Sequence, residues 1–232
     1  MSNKLDQGTR KPARVRGLLV TALALGCTFG TVRFAAAQTV TAPATPTAIT
    51  APEGNSAFLV GHAFGSQGYI CLPASTGGTS WTVNPARPEA TLFTDIFGQP
   101  FQIITHFLSI DASPNENAPN PVSLGGNATW QSSLDTSRVW AVVFTKLGGG
   151  SIVAGTDPSC PNSGSIPCLL LQAVGSQQGP TGGTILSNTT FVQRLNTNGG
   201  AAPADGCFTS ADVGKQALVP YTADYYFFHK SN

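Results

Sequence analysis

The chain has 232 residues, of which 10% are charged, enough for one ordinary domain or two small ones. Six of its twelve Lys and Arg, but one of its eleven Asp and Glu, precede Gln38, so the rest carries a net charge of about −4. No basic patch or basic–aromatic stripe remains there, which argues against a nucleic-acid partner.

In chain order, the first segment reads as an export signal. Lys4, Arg10, Lys11, Arg14 and Arg16 lead an apolar run from Gly17 to Val32, and Ala35-Ala36-Ala37 offers small residues ahead of Gln38. The run is broken by Arg33 and falls short of the roughly 20 apolar residues of a membrane span. The expectation is a signal peptide over residues 1–37, cleaved after Ala37, with an exported, periplasmic or extracellular product and no span in the mature chain. Residues 38–52, rich in Thr, Ala and Pro and free of charge, read as an extended leader and spacer. A single β domain is expected over 53–232.

From Glu53 onward, short β-type runs alternate with Gly, Pro, Asn and Asp clusters. Strands are expected at Ala57–Ala63, Tyr69–Leu72, Ser80–Val83, Ala90–Phe93, Phe101–Ile110, Thr129–Ser132, Val139–Lys146, Cys168–Val174, Thr184–Asn196 and Gln216–His229. Gly65-Ser66-Gln67-Gly68 reads as a hairpin turn between the first two. Residues 111–126 form a long loop. Val139–Phe144 and Leu169–Leu171 are almost unbroken apolar runs, which suit strands covered on both faces. Ser210–Lys215 suits one helical turn. Asn127-Ala128-Thr129 and Asn188-Thr189-Thr190 are sugar-acceptor sequons, expected in accessible turns. The fold class is all-β: an antiparallel meander sandwich or barrel of about nine or ten strands, with little helix.

Cys27 falls in the signal, leaving Cys71, Cys160, Cys168 and Cys207. An even count in an exported chain reads as two disulfides, with three connectivities open. No C-x-x-C spacing suggests zinc or thiol redox chemistry.

Enzyme signatures are absent: no G-x-S-x-G elbow, H-E-x-x-H helix or P-loop. Gly148-Gly149-Gly150 follows a strand, but Val153 stands where a dinucleotide fingerprint needs its third glycine, so the triplet reads as a turn. His62, His106 and His229 are far apart and read as surface or core residues rather than metal ligands. Glu89, Asp135 and Asp224 have no spacing that demands a paired-carboxylate site. The polar residues set inside strand-like text are His106, Gln193, Arg194 and Asp224. A buried Arg194–Asp224 pair would be a structural staple. His106, Arg194 and Asp224 form the candidate polar cluster, and Trp81 with Trp130 a candidate aromatic binding face. No cofactor or metal is implied.

Several stretches resemble the domain-of-unknown-function family 3455. They are Thr190-Phe191-Val192-Gln193-Arg194-Leu195-Asn196-Thr197 with Gly199-Gly200, Pro203 and Gly206-Cys207, and the ending Val219 to Phe227. Upstream, Tyr69-Ile70-Cys71, Trp81, Pro88 to Phe93, Thr105-His106, Ala128-Thr129-Trp130, Asp135-Thr136-Ser137 and Ile166 to Leu171 are similar to its earlier motifs. The resemblance spans about residues 53–229. It implies a secreted protein of the kind found in bacteria and fungi, without assigned activity. Some members carry a malate dehydrogenase label, which the failed glycine pattern and missing βαβ rhythm do not support. Two departures stand out. Cys168 replaces a tryptophan usual in relatives and Cys160 is extra, which implies that these two pair and leaves Cys71 with Cys207. Residues 111–126 look inserted.

The sequence therefore reads as an exported β domain acting as a binding or surface module, its partner unknown but of a kind with glycans or envelope components. A secreted enzyme acting on carbohydrate or phenolic material is the alternative, and a structural envelope or matrix protein another.

Overall fold

The computed structural model describes residues 40–109, 127–146 and 148–231. The expected signal peptide and the loop at 111–126 lie outside them. Among the described residues nine strands follow in order: β1 (Asn55–Pro73), β2 (Thr79–Ile96), β3 (Gln99–Ser109), β4 (Asn127–Ser132), β5 (Arg138–Val143), β6 (Ser151–Ile152), β7 (Cys168–Gln177), β8 (Phe191–Gly199) and β9 (Gln216–Lys230). Short 3-10 turns occur at Thr47–Ile49 and Ser210–Asp212. Among the described residues no helix is long and apolar enough to cross a membrane.

Every ladder is antiparallel, and the strand order is β5-β4-β3-β2-β1-β9-β8-β7-β6. β5 also pairs with β7, Arg138 opposite Gln177 and Val143 opposite Leu171, so the meander returns on itself as a ring-like sheet. Such closure satisfies the edges that an open sheet would expose.

Three details of the expected strand list change. β1 runs straight through Gly65–Gly68 instead of turning there. A Cβ on Gly65 would lie 2.5 Å from that of Ala90, so this glycine permits close approach of β1 and β2, and Gly68 sits at a bulge between Gln67 and Tyr69. The turn comes later, at Ala74–Gly78, where the Ala74 N–H donates to the Gly78 carbonyl at 3.0 Å. The segments around Ser80 and Ala90 join as β2, while Thr184–Thr189 forms turns ahead of β8.

Residues of period two split each wall into an inner and an outer face. Tyr221, Ala223, Tyr225 and Phe227 of β9 point inward, joining Ala63, Leu92, Ile104, Trp130, Val139 and Val192 in the inner core. A second cluster lies on the outer face of β7–β9, built from Ile49, Phe144, Ala154, Leu170, Leu195 and Phe228 beside the Cys160–Cys168 bridge. Leu169 and Leu171 pack inward while Leu170 packs outward, which explains the unbroken apolar run.

The expected spacer is also corrected. From residue 40 on, it covers this outer cluster, with Ile49 fully buried and its carbonyl accepting from Gln193 Nε2 at 2.6 Å. Full burial of such a side chain contributes about 1.5–3 kcal/mol toward holding the segment against the wall.

The sequons part company. Asn188 is exposed in a turn, but Asn127 opens β4 and is buried.

Candidate functional site

The inward positions of several neighbouring strands are small: Ala63 on β1, Ala90 on β2, Ala128 on β4, Ala141 on β5 and Ala223 on β9. Opposite them, large rings crowd together, and the ring cannot fill its own interior. A cavity of about 420 Å³ results, walled by Leu108, Val142, Leu169, Leu171 and the aromatic faces of Trp130 and Tyr225. Its polar side chains are His106, Arg194, Tyr69 and Gln67.

His106 faces Trp130 across the β3–β4 ladder, and their rings stack at 4.2 Å with planes 7° from parallel. His106 is 3% exposed, and its Nδ1–H donates to the Thr129 carbonyl at 2.9 Å. A carbonyl can only accept, so this bond fixes the neutral tautomer and leaves a lone pair on Nε2. Burial lowers the imidazole's pKa to about 4, and the charge of Arg194 pushes the same way.

Arg194 faces Tyr225 across the β8–β9 ladder and is 7% exposed. Its Nε and Nη2 both donate to the Pro167 carbonyl, at 3.2 and 2.8 Å. No Asp or Glu lines the cavity among the described residues. Tyr69 donates to the Gly200 carbonyl at 2.6 Å, and burial raises its pKa. The hydroxyls of Tyr221 and Tyr225 lie 3.0 Å apart; burial and the neighbouring phenol push Tyr221 well above the ordinary range. The indole N–H of Trp130 is buried and meets no acceptor among the described residues.

Of the expected polar cluster, the structure brings His106 and Arg194 to one cavity and leaves Asp224 outside. Asp224 alternates with Ala223 and Tyr225, so it points to the outer face. There its Oδ1 accepts from His62 Nδ1 at 2.6 Å and its Oδ2 from Asn196 Nδ2 at 2.7 Å. The Arg194–Asp224 staple therefore does not form. The expected aromatic face fails for the same kind of reason: Trp130 is 1% exposed in the interior. Trp81 is half-buried elsewhere, opposite Cys71 on β1, and its Nε1–H donates to the Asp205 carbonyl at 2.8 Å. The bridges join Cys71 to Cys207 and Cys160 to Cys168, with Cα atoms 5.6 and 6.0 Å apart.

The motif residues of β8 and β9 thus divide between the cavity and the outer wall. A family model described as a protein of unknown function, DUF3455, matches residues 52–229. The chain belongs to this family. No curated protein and no solved structure matches it. In this DUF3455 chain the motif pair Gln193-Arg194 works on two faces at once: Gln193 holds the Ile49 segment outside while Arg194 reaches the interior. Sequence reasoning missed Tyr69 and Tyr225 as cavity residues. The alternation Tyr221, Ala223, Tyr225, Phe227 was the available signal, since it sets one face of β9 against Asp224. Among the described residues no group of three or more His, Cys, Asp or Glu could hold a metal ion.

Proposed function

We propose that this DUF3455 chain is an exported binding module that takes a small, largely apolar molecule into the interior of its ring. The observation that carries the reading is the cavity of about 420 Å³, whose walls are mostly aliphatic and aromatic while its few polar groups gather at His106 and Arg194. That size and composition suit small-molecule binding, where apolar surface supplies affinity and a few polar groups fix orientation. Two disulfides suit an oxidising compartment. With the basic lead and apolar run ahead of Gln38, they support export with residues 1–37 as the signal.

Trp130 lines the cavity, so occupation should change its fluorescence. Titrating the mature protein with an environment-sensitive naphthalene dye should give saturable binding near one site. Ala141→Phe, which puts a ring into the space, should abolish that binding while leaving the fold intact. Equal dye binding by Ala141→Phe, or none by the wild type, would remove the reading. Intact mass of the exported product, expected to begin at Gln38, checks the export half.

A further inference from the structure

The charge balance of the cavity is incomplete. Arg194 brings a permanent cation into an interior where it is 7% exposed, and a buried charge without a counter-charge is costly. Its only hydrogen-bond partner among the described residues is a neutral one, the Pro167 carbonyl, which takes Nε and Nη2. A guanidinium has five N–H donors in a planar fork, so three remain. Among the described residues the cavity lining supplies no carboxylate to meet them. His106 is held neutral by its burial beside the Arg194 charge, against the pull of its bond to the Thr129 carbonyl, so it adds neither a second cation nor an anion. A second donor in the same wall, the Trp130 indole N–H, is buried and unpaired among the described residues. Donors are thus in excess and the missing partner is an acceptor, best one that carries a negative charge.

We infer that the ligand of this cavity is a small organic monoanion, a carboxylate on an apolar body, whose head is held by the free edge of the Arg194 guanidinium. The inference rests on the binding reading above and adds to it the ligand's charge. The apolar walls receive the body of the molecule, and they are as compatible with an aliphatic chain as with an aromatic ring. The shared chemistry is the carboxylate; the source of the body is for experiment.

Calorimetric titration of the mature protein at neutral pH with two acid–alcohol pairs, decanoate with decanol and 2-naphthoate with 2-naphthalenemethanol, tests this. At least one acid should bind roughly tenfold or more tighter than its own alcohol, the scale of one charge-assisted contact. The pair that shows the difference identifies the body. Arg194→Gln should bring acid and alcohol to within about twofold of each other while the alcohol keeps its affinity. Should that variant fail to fold, Arg194→Lys serves in its place: it keeps the charge but loses the fork, and the acid preference should shrink by several-fold. Alcohols that bind as well as their acids overturn the inference and leave the cavity reading standing. An acid preference that survives Arg194→Gln unchanged also overturns it. If the naphthalene dye and all four compounds fail to bind, the cavity reading itself falls, and the inference with it.

Discussion

Arg194 and Asp224 sit on adjacent strands and face opposite sides of the same wall, because Asp224 lies opposite Leu195 in the ladder while Arg194 lies opposite Tyr225. The consequence is a division of labour. Arg194 belongs to the interior, and Asp224 belongs to an outer contact with His62 and Asn196. The His62 side chain is largely exposed, and exposed ion pairs contribute about 0–1 kcal/mol. Asp224→Asn should therefore cost about 1 kcal/mol or less in stability and leave binding inside the ring unchanged. Thermal melts and the dye titration, run on the same variant, check both halves. A loss of binding in Asp224→Asn would show that the two faces are coupled.

The stacking of His106 on Trp130 leaves a titratable group almost wholly buried. Its folded pKa of about 4 lies below the ordinary value near 6.5 expected of the unfolded chain. Above about pH 6.5 both states are neutral and the group contributes nothing to pH dependence. As pH falls from there toward 4, the unfolded chain takes up a proton that the folded chain refuses, so stability declines. Below about 4 both states are protonated and the loss is complete, at roughly 3 kcal/mol. Urea midpoints should fall between pH 7 and 4.5 for the wild type and fall much less for His106→Gln. Parallel declines in the two proteins would refute the assignment.

Asp135 titrates lower and does structural work. Although burial pushes its pKa up, hydrogen bonds from the Ile185 N–H, the Ser137 hydroxyl and the Ser137 N–H hold it at about 2. These bonds pin the turn after β4 to the segment before β8. Their contribution is present above the unfolded value near 4 and is lost as pH falls through about 2. Asp135→Ala should cost about 1–3 kcal/mol at neutral pH, since several donors lose a charged acceptor. A melting temperature unchanged from wild type would mean that water replaces the carboxylate without cost.

Local pattern carried much of this fold into the sequence, and non-local pairing did not. The period of two in Tyr221–Phe227 and the apolar runs at Val139 and Leu169 mark strands and their covered faces, because side-chain direction is set by the strand itself. The disulfide pairing was legible only from the resemblance, through Cys168 standing where relatives have tryptophan. Gly65–Gly68 misleads because a glycine that allows close strand approach looks the same in sequence as one that allows a turn. The docking of residues 40–52 through the buried Ile49 depends on an apolar outer wall made by β7–β9, which no local window contains. The site suffers likewise: His106 meets Trp130 across residues 110–126, and Arg194 reaches the same cavity from another ladder.

The two sequons should behave differently in a glycosylating host. Asn188 is exposed, whereas Asn127 is buried and Thr129, fully buried, donates its hydroxyl to the Asn127 carbonyl at 2.8 Å. A glycan at Asn127 would have to displace the start of β4. Folded, secreted protein should therefore carry sugar at Asn188 and none at Asn127. Peptide mapping after glycosidase treatment in heavy-oxygen water reads both sites. Occupancy at Asn127 in material that melts cooperatively would contradict the burial.

The two bridges should differ in what they contribute. Cys71–Cys207 closes a loop with a sequence separation of 136, and Cys160–Cys168 closes one of 8. On the chain-entropy account the long loop is worth roughly 5 kcal/mol and the short one roughly 2.5, each reduced by whatever structure the unfolded chain retains. The long bridge also fastens residues 207–215 to β1, beside the paired bonds from the Cys71 N–H to the Lys215 carbonyl and from the Gly214 N–H to the Cys71 carbonyl, both 2.9 Å. The short bridge lies in the outer cluster, where Ile49, Leu170 and Leu195 hold the surroundings together without it. Cys207→Ala should thus lower the melting temperature further than Cys168→Ala, measured on oxidised protein with the partner cysteine also replaced so that no free thiol reshuffles. A larger drop from removing the short bridge would mean that outer-cluster packing around Cys168, and not the length of the closed loop, sets the order.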